Sequence, residues 1–147
     1  MGRDETPHRR RHNERVNLND FLPAPESLYQ RIGAAKLREI VQAFYPLVKS
    51  EPLIADLFPD NLSETMNKQE AFLTGFLGGP PLYHQLYGNP MLRYRHREFA
   101  ITPTRAKAWF ACFSDAVHSV ALPESVRQEL LGAVARTAAA MVNTPEA

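Results

Sequence analysis

The chain has 147 residues, 44% of them hydrophobic, 22% charged and 10% aromatic, the make-up of one ordinary globular domain. A single cysteine, Cys112, and a formal net charge of +1 exclude an internal disulfide, a cysteine-rich zinc site and a charge field that calls for nucleic acid. No apolar run approaches the ~20 residues of a membrane helix and the N-terminus lacks an apolar signal core, so a reducing, cytoplasmic setting away from membranes is expected.

Residues 1–25 hold Arg3, Arg9, Arg10, Arg11 and Arg15, with few apolar side chains before Val16. Such a stretch buries too little surface to offset its ordering entropy. It is expected to be a disordered or loosely docked arm that settles around Leu18, Phe21 and Leu22. Residues 26–147 are expected to form the folded domain.

Pro25 and Ser27 open a short helix carrying Leu28, Tyr29 and Ile32, which Gly33 ends. Leu37, Ile40, Val41, Phe44, Tyr45 and Val48 then follow helical spacing until Pro52. Pro46 inside that run removes one backbone donor, and a local kink near Tyr45 is expected. After a turn at Phe58-Pro59-Asp60, Asn61 and Glu64 have the spacing of a capping box. The helix that follows runs to about Leu77 and stops at Gly78-Gly79-Pro80-Pro81. Residues 78–90 hold three prolines and three glycines and read as a loop. Asn89 is placed to cap a short helix with Pro90 at its first position, carrying Leu92, His96 and Phe99. Thr102-Pro103 starts a long helix with Ala106, Trp109, Phe110, Phe113, Val117 and Val120 on one stripe. Pro123 starts the last, with Val126, Leu130, Val134 and Met141 on its face. No stretch alternates with period two, so the fold class is all-α.

Polar groups sit on several of these apolar stripes. Tyr45 adjoins Phe44, Gln69 shares a stripe with Thr65, Phe72 and Phe76, His96 shares one with Leu92, and Trp109 shares one with Phe113. Each alone has an ordinary explanation: a packed histidine, a core tyrosine with its hydroxyl at the edge, a glutamine turned to water, a tryptophan filling space. Leaving a buried polar group unpaired costs ~1–3 kcal/mol. Four such groups on four helices therefore suggest convergence on something polar inside an apolar pocket.

The order of landmarks is Phe44-Tyr45, Leu57-Phe58-Pro59, Lys68-Gln69, then Phe76-Leu77-Gly78-Gly79-Pro80-Pro81-Leu82-Tyr83. Gly88-Asn89-Pro90-Met91-Leu92-Arg93-Tyr94-Arg95-His96 and Phe99-Ala100-Ile101-Thr102 follow, with Trp109 thirteen residues after His96. From about Ser27 to Val142 the chain resembles the group II truncated haemoglobins, and the arm lies outside the resemblance.

The resemblance implies a two-over-two helical sandwich around haem b, iron protoporphyrin IX. His96 is then the proximal iron ligand, its other ring nitrogen held by an acceptor such as a carbonyl one turn back near Leu92. Tyr45, Gln69 and Trp109 form the distal site, with Thr65 where many globins carry a distal histidine. A tyrosine hydroxyl, a glutamine amide and an indole N–H all donate, which suits dioxygen because it gains negative charge on binding. Phe58 packs on the haem face, where many group II members carry tyrosine or histidine, so one donor is missing and Tyr45 has more freedom to reach the ligand. Phe72 and Ile101 are further haem contacts. Arg95, Lys68 and Tyr83 match family positions that contact the propionates, whereas Arg93 and Arg97 read as solvated surface. The pattern gives Cys112 no axial role.

The implied function is binding of dioxygen, and of carbon monoxide, nitric oxide or peroxide, at a five-coordinate iron, for oxygen storage, transport or ligand scavenging. The alternative is haem enzyme chemistry, peroxide-dependent oxidation or nitric-oxide dioxygenation, which needs an external reductase because no flavin or nicotinamide domain is present. A monomer or homodimer is expected.

Overall fold

The computed structural model describes residues 16–22 and 26–146, and all regular structure in them is helical. Among the described residues seven α-helices follow one another as α1 (Leu28–Ile32), α2 (Ala34–Lys49), α3 (Ser63–Phe76), α4 (Leu82–Tyr87), α5 (Leu92–Arg95), α6 (Pro103–His118) and α7 (Glu124–Met141). Short 3-10 turns span Leu18–Asp20 and Ala55–Leu57. Among the described residues no helix is long and apolar enough to cross a membrane.

Local chemistry accounts for most of the boundaries. Ser27 caps α1 in a reciprocal box with Gln30, and Gly33, at φ 89°, separates α1 from α2. Pro46 lies in the last turn of α2, which continues to Lys49. Thr102 accepts from the Arg105 amide, and Pro103 occupies the first position of α6.

Three boundaries differ from the sequence reading. Asn61 accepts from the Ser63 amide two residues on, at 2.9 Å, instead of forming a box with Glu64. That Asx turn satisfies its carbonyl before the helix begins. The stretch 78–90 is not all loop, because α4 lies within it. Asn89 likewise bonds the Met91 amide at 3.1 Å, and Met91 takes a left-handed conformation at φ 42°. The short helix therefore begins at Leu92 and ends at Arg95, leaving His96 as its C-cap and Phe99 beyond it.

Helix α2 packs on both α3 and α6, and α6 packs on α7. Phe44, Phe113, Leu37, Ile40, Ile54, Leu130, Val41, Val48 and Val117 are the fully buried centre. Cys112 belongs to this core. At the α3 terminus Gly78 has φ +98°, and a Cβ on Gly79 would come within 2.6 Å of the Tyr29 ring and 2.9 Å of the Thr74 carbonyl. The Tyr29 amide donates to Leu77 O at 2.8 Å, so the double glycine lets α1 close against the end of α3. Arg38 reaches Glu70 from α2 to α3 at 3.0 Å, and Arg31 reaches Glu129 from α1 to α7 at 2.5 Å.

In the described part of the arm, Val16, Leu18, Phe21 and Leu22 are all exposed. The expectation that the arm settles on these side chains is not met by contacts there. The expectations for residues 1–15 and 23–25 lie outside the described residues.

Candidate functional site

An apolar cavity of about 260 Å³ opens among α2, α3, α5, α6 and α7. Ile54, Leu57, Phe58, Leu73, Phe76, Leu92 and Ile101 form much of its wall. Tyr45, Thr65, Gln69, His96 and Trp109 all line it. Five polar side chains that are scattered over 65 positions of sequence therefore share one space.

Tyr45 is buried and held on two sides, with Phe44 edge-on at 4.8 Å and Phe58 edge-on at 5.9 Å between ring centroids. Burial pushes its phenol above the ordinary value of 10.0, because the charged form is disfavoured in an apolar setting. The hydroxyl therefore stays protonated and able to donate. Among the described residues the one sealed and unpaired side-chain polar atom is Arg127 Nε. The Tyr45 hydroxyl, which has no partner among the described residues, opens onto the cavity.

Trp109 is fixed just as firmly. Its ring stacks on Phe113 at 5.6 Å with an interplanar angle of 4°, and Phe44 meets it edge-on at 5.1 Å. One phenylalanine, Phe44, thus orients both Tyr45 and Trp109. Gln69 lies one turn after Thr65 on α3, and both are half-buried at the cavity wall.

His96 closes α5 and lines the cavity with Leu92. Its Nδ1 lies 2.7 Å from Leu92 O. A carbonyl only accepts, so Nδ1 carries a proton, and in the neutral ring the lone pair is then on Nε2. That is the tautomer a metal-ligating imidazole needs. The expected acceptor one turn back is therefore present, because His96 and Leu92 are four residues apart on the same helical face.

Four of the expected site residues lie outside the cavity lining. Phe72 stacks on Phe76 at 5.5 Å and meets Tyr83 edge-on at 6.2 Å. The Arg95 guanidinium lies 5.7 Å from the Tyr83 ring centroid, and the Lys68 ammonium 5.5 Å from that of Tyr87. These residues form one cationic and aromatic cluster beside Phe76, at the cavity edge. Arg95 also donates to Pro90 O at 2.7 Å and to Asn89 O at 3.2 Å. Arg97 turns away, with its guanidinium 3.7 Å from the Tyr94 ring centroid and paired with Glu98.

The structure adds wall residues the sequence reading did not assign to the site, notably Arg105 and, from α7, Thr137, Ala138 and Met141. Helical periodicity put Val134 and Met141 on an apolar face, but nothing in the spacing distinguishes a face turned to the core from one turned to a cavity. The buried Cys112 thiol is raised by desolvation first, with Glu51 and Asp115 adding to it, and it does not line the cavity.

The donor set fits haem. One imidazole has a free Nε2, the walls are apolar, and uncharged donors stand at the same space with a cationic cluster at its edge.

The chain is similar to known proteins in both sequence and fold. The sequence profile of the family described as bacterial-like globin matches residues 27–143. The group 2 truncated haemoglobin YjbI of Bacillus subtilis is 48% identical over 119 residues, covering 81% of this chain and 90% of that protein. The crystal structure of the group II truncated haemoglobin from Bacillus anthracis superposes with a TM-score of 0.82 at 40% identity, covering 85% of this chain and 97% of that one. A structure described as truncated oxygen-avid haemoglobin from Bacillus subtilis gives a TM-score of 0.78 at 47% identity, covering 80% and 100%.

Proposed function

The chain belongs to the bacterial-like globin family, within it to the group II truncated haemoglobins, and on that premise we propose that it holds haem b through His96 and binds dioxygen beside Tyr45, Gln69 and Trp109. Membership of the family implies haem and the binding of oxygen or other small gases. The observation that carries the finer reading is that Tyr45, Gln69, His96 and Trp109, from four helices, line one and the same cavity, with His96 Nδ1 held by Leu92 O.

Haem would supply an iron centre that binds diatomic gases, and His96 would hold it through its imidazole. The chain's own groups do the rest. Leu92 O fixes the His96 tautomer and ring direction. Phe44, Phe58 and Phe113 hold the Tyr45 and Trp109 rings, so their donors are aimed before any ligand arrives. Each such bond is worth ~1–1.5 kcal/mol, and more where water is excluded. Two of them, if additive, would slow ligand loss by roughly thirty- to a hundred-and-fifty-fold. Phe58 offers no competing hydrogen bond, which leaves the Tyr45 hydroxyl free for the ligand. Lys68, Tyr83 and Arg95 would meet the propionates at the cavity edge.

Firm holding of a polar ligand suits oxygen storage or scavenging, in a reducing cytoplasmic setting that the lone, core-packed cysteine favours. Stopped-flow oxygen dissociation, with a peroxide-oxidation assay run against free haem, tests this. Slow oxygen loss with peroxide turnover no faster than free haem is the expected result. Fast oxygen loss together with turnover far above that background would favour the enzyme reading, with an external reductase.

A further inference from the structure

We infer that Asn143 is a positioning residue for the proximal ligand, clamping residues 96–101 so that His96 is presented to the cavity in one orientation. The inference rests on the haem reading above and deepens it.

The proximal segment cannot hold itself. His96 ends a helix of four residues, whose backbone bonds run from Arg95 N to Met91 O and from His96 N to Leu92 O. A helix that short lies below the length at which propagation repays nucleation. Residues 97–100 are exposed and without regular structure beyond turns. Something outside the segment must therefore fix it.

Asn143 supplies that hold. Its Nδ2 donates to Phe99 O at 2.9 Å and to His96 O at 3.3 Å. Its Oδ1 accepts from Ile101 N at 2.9 Å and from Thr144 Oγ1 at 2.7 Å. The backbone amides of Asn143 and Thr144 add bonds to Ile101 O at 3.0 and 3.2 Å. Among the described residues, the hydrogen bonds that reach 96–101 from later in the chain come from Asn143 and Thr144, apart from one from Arg105 Nη1, at the start of α6, to Ala100 O at 2.5 Å. Two carbonyls and one amide must be met at once, so the position needs a side chain with a donor and an acceptor, in one orientation.

The clamp grips the side of the segment away from the cavity. His96, Phe99 and Ile101 face the cavity, as does Met141, two residues before Asn143. The end of α7 and the proximal wall are thus tied together by hydrogen bonds. The same tail has a second tether, independent of the first, in Glu146, whose carboxylate accepts from the Thr104 amide and hydroxyl at the start of α6.

Three full-length variants loaded with haem test the inference. Asn143→Ala removes every side-chain bond of the clamp and leaves only the two backbone bonds to Ile101 O, Asn143→Asp keeps the acceptor for Ile101 N but loses both donated bonds, and Glu146→Ala releases only the second tether. Haem transfer to an excess of an acceptor apoglobin and the Fe–His stretching band of the ferrous, gas-free protein are the readouts. Asn143→Ala should speed haem loss by about tenfold and leave the Fe–His band broader and lower in frequency. Asn143→Asp should move the band in the same direction with a smaller rise in haem loss, which keeps the test open if the alanine variant does not fold. Glu146→Ala should leave the band unchanged. A wild-type band in both Asn143 variants would overturn the inference while His96 ligation stands. Equal band shifts from Glu146→Ala and Asn143→Ala would also overturn it, by making the tail a general brace. A wild-type protein that takes up no haem would sink the haem reading and this inference with it.

Discussion

Replacing Trp109 by phenylalanine separates hydrogen bonding from packing in the distal site. A phenylalanine ring fits between Phe44 and Phe113, which hold the indole at 5.1 and 5.6 Å, and the half-buried position limits the cost of the lost atoms. What disappears is the only indole N–H in the chain. One hydrogen bond to bound dioxygen is worth ~1.4 kcal/mol, so oxygen should dissociate about tenfold faster. Carbon monoxide is a poorer acceptor, and its dissociation should change by less than about threefold on the same free-energy scale. Tyr45→Phe should act in the same direction. The double variant should fall short of the product of the two effects, because neighbouring donors share one ligand. Stopped-flow displacement of both gases measures this. An equal response of oxygen and carbon monoxide would show that the substitutions act through access or packing, and would refute the hydrogen-bond argument.

Other perturbations follow from the same geometry. Arg95→Ala and Lys68→Ala should each speed haem transfer by at most about fivefold, since a partly exposed ion pair is worth ~0–1 kcal/mol, and Arg97→Ala should do less. Equal effects at all three would indicate a diffuse positive field. Gly79→Ala should destabilise the fold by ~1–3 kcal/mol, because its Cβ would strike Tyr29 and the Thr74 carbonyl; a thermal melt matching that of the unchanged protein would contradict the close approach. Burial raises the Tyr45 phenol, so the folded state retains a proton that the unfolded chain releases near pH 10. Stability should therefore fall as pH rises above about 10, and Tyr45→Phe should flatten that fall in urea denaturation between pH 9 and 11 or so. Deleting residues 1–25 should leave the visible spectrum and gas kinetics unchanged, since Val16, Leu18, Phe21 and Leu22 are exposed. A marked loss of haem affinity would show that the arm packs on the core.

Much of the fold is legible in the sequence because its signals are local. Helical period, Ser27, Thr102-Pro103 and the double glycine act within a turn or two of themselves, and the helices α1, α2, α3, α6 and α7 fall where those signals place them. The His96–Leu92 contact is equally local, being one helical turn. Helix α4 escaped because six residues between glycine and proline clusters are too few to display a period. Asn61 and Asn89 each had two ways to satisfy one carbonyl, and in both cases the nearer amide won. Tyr45, Thr65, Gln69 and Trp109 were legible as polar residues on apolar stripes, but their meeting required the fold or a family resemblance. The contributions of Arg105 and Thr137 to the wall, and of Asn143 behind it, depend on partners far away in sequence and leave no local trace.

The account turns on His96 as the axial ligand. The most direct measurement is the resonance Raman and visible spectrum of the ferrous protein, with His96→Gly compared in the absence and presence of added imidazole. The unchanged protein should show a five-coordinate, histidine-ligated haem. His96→Gly should lose the Fe–His band and regain it, together with haem retention, when imidazole is supplied. A His96→Gly protein with the same band, the same haem retention and the same oxygen affinity as the unchanged chain would contradict the account at its centre.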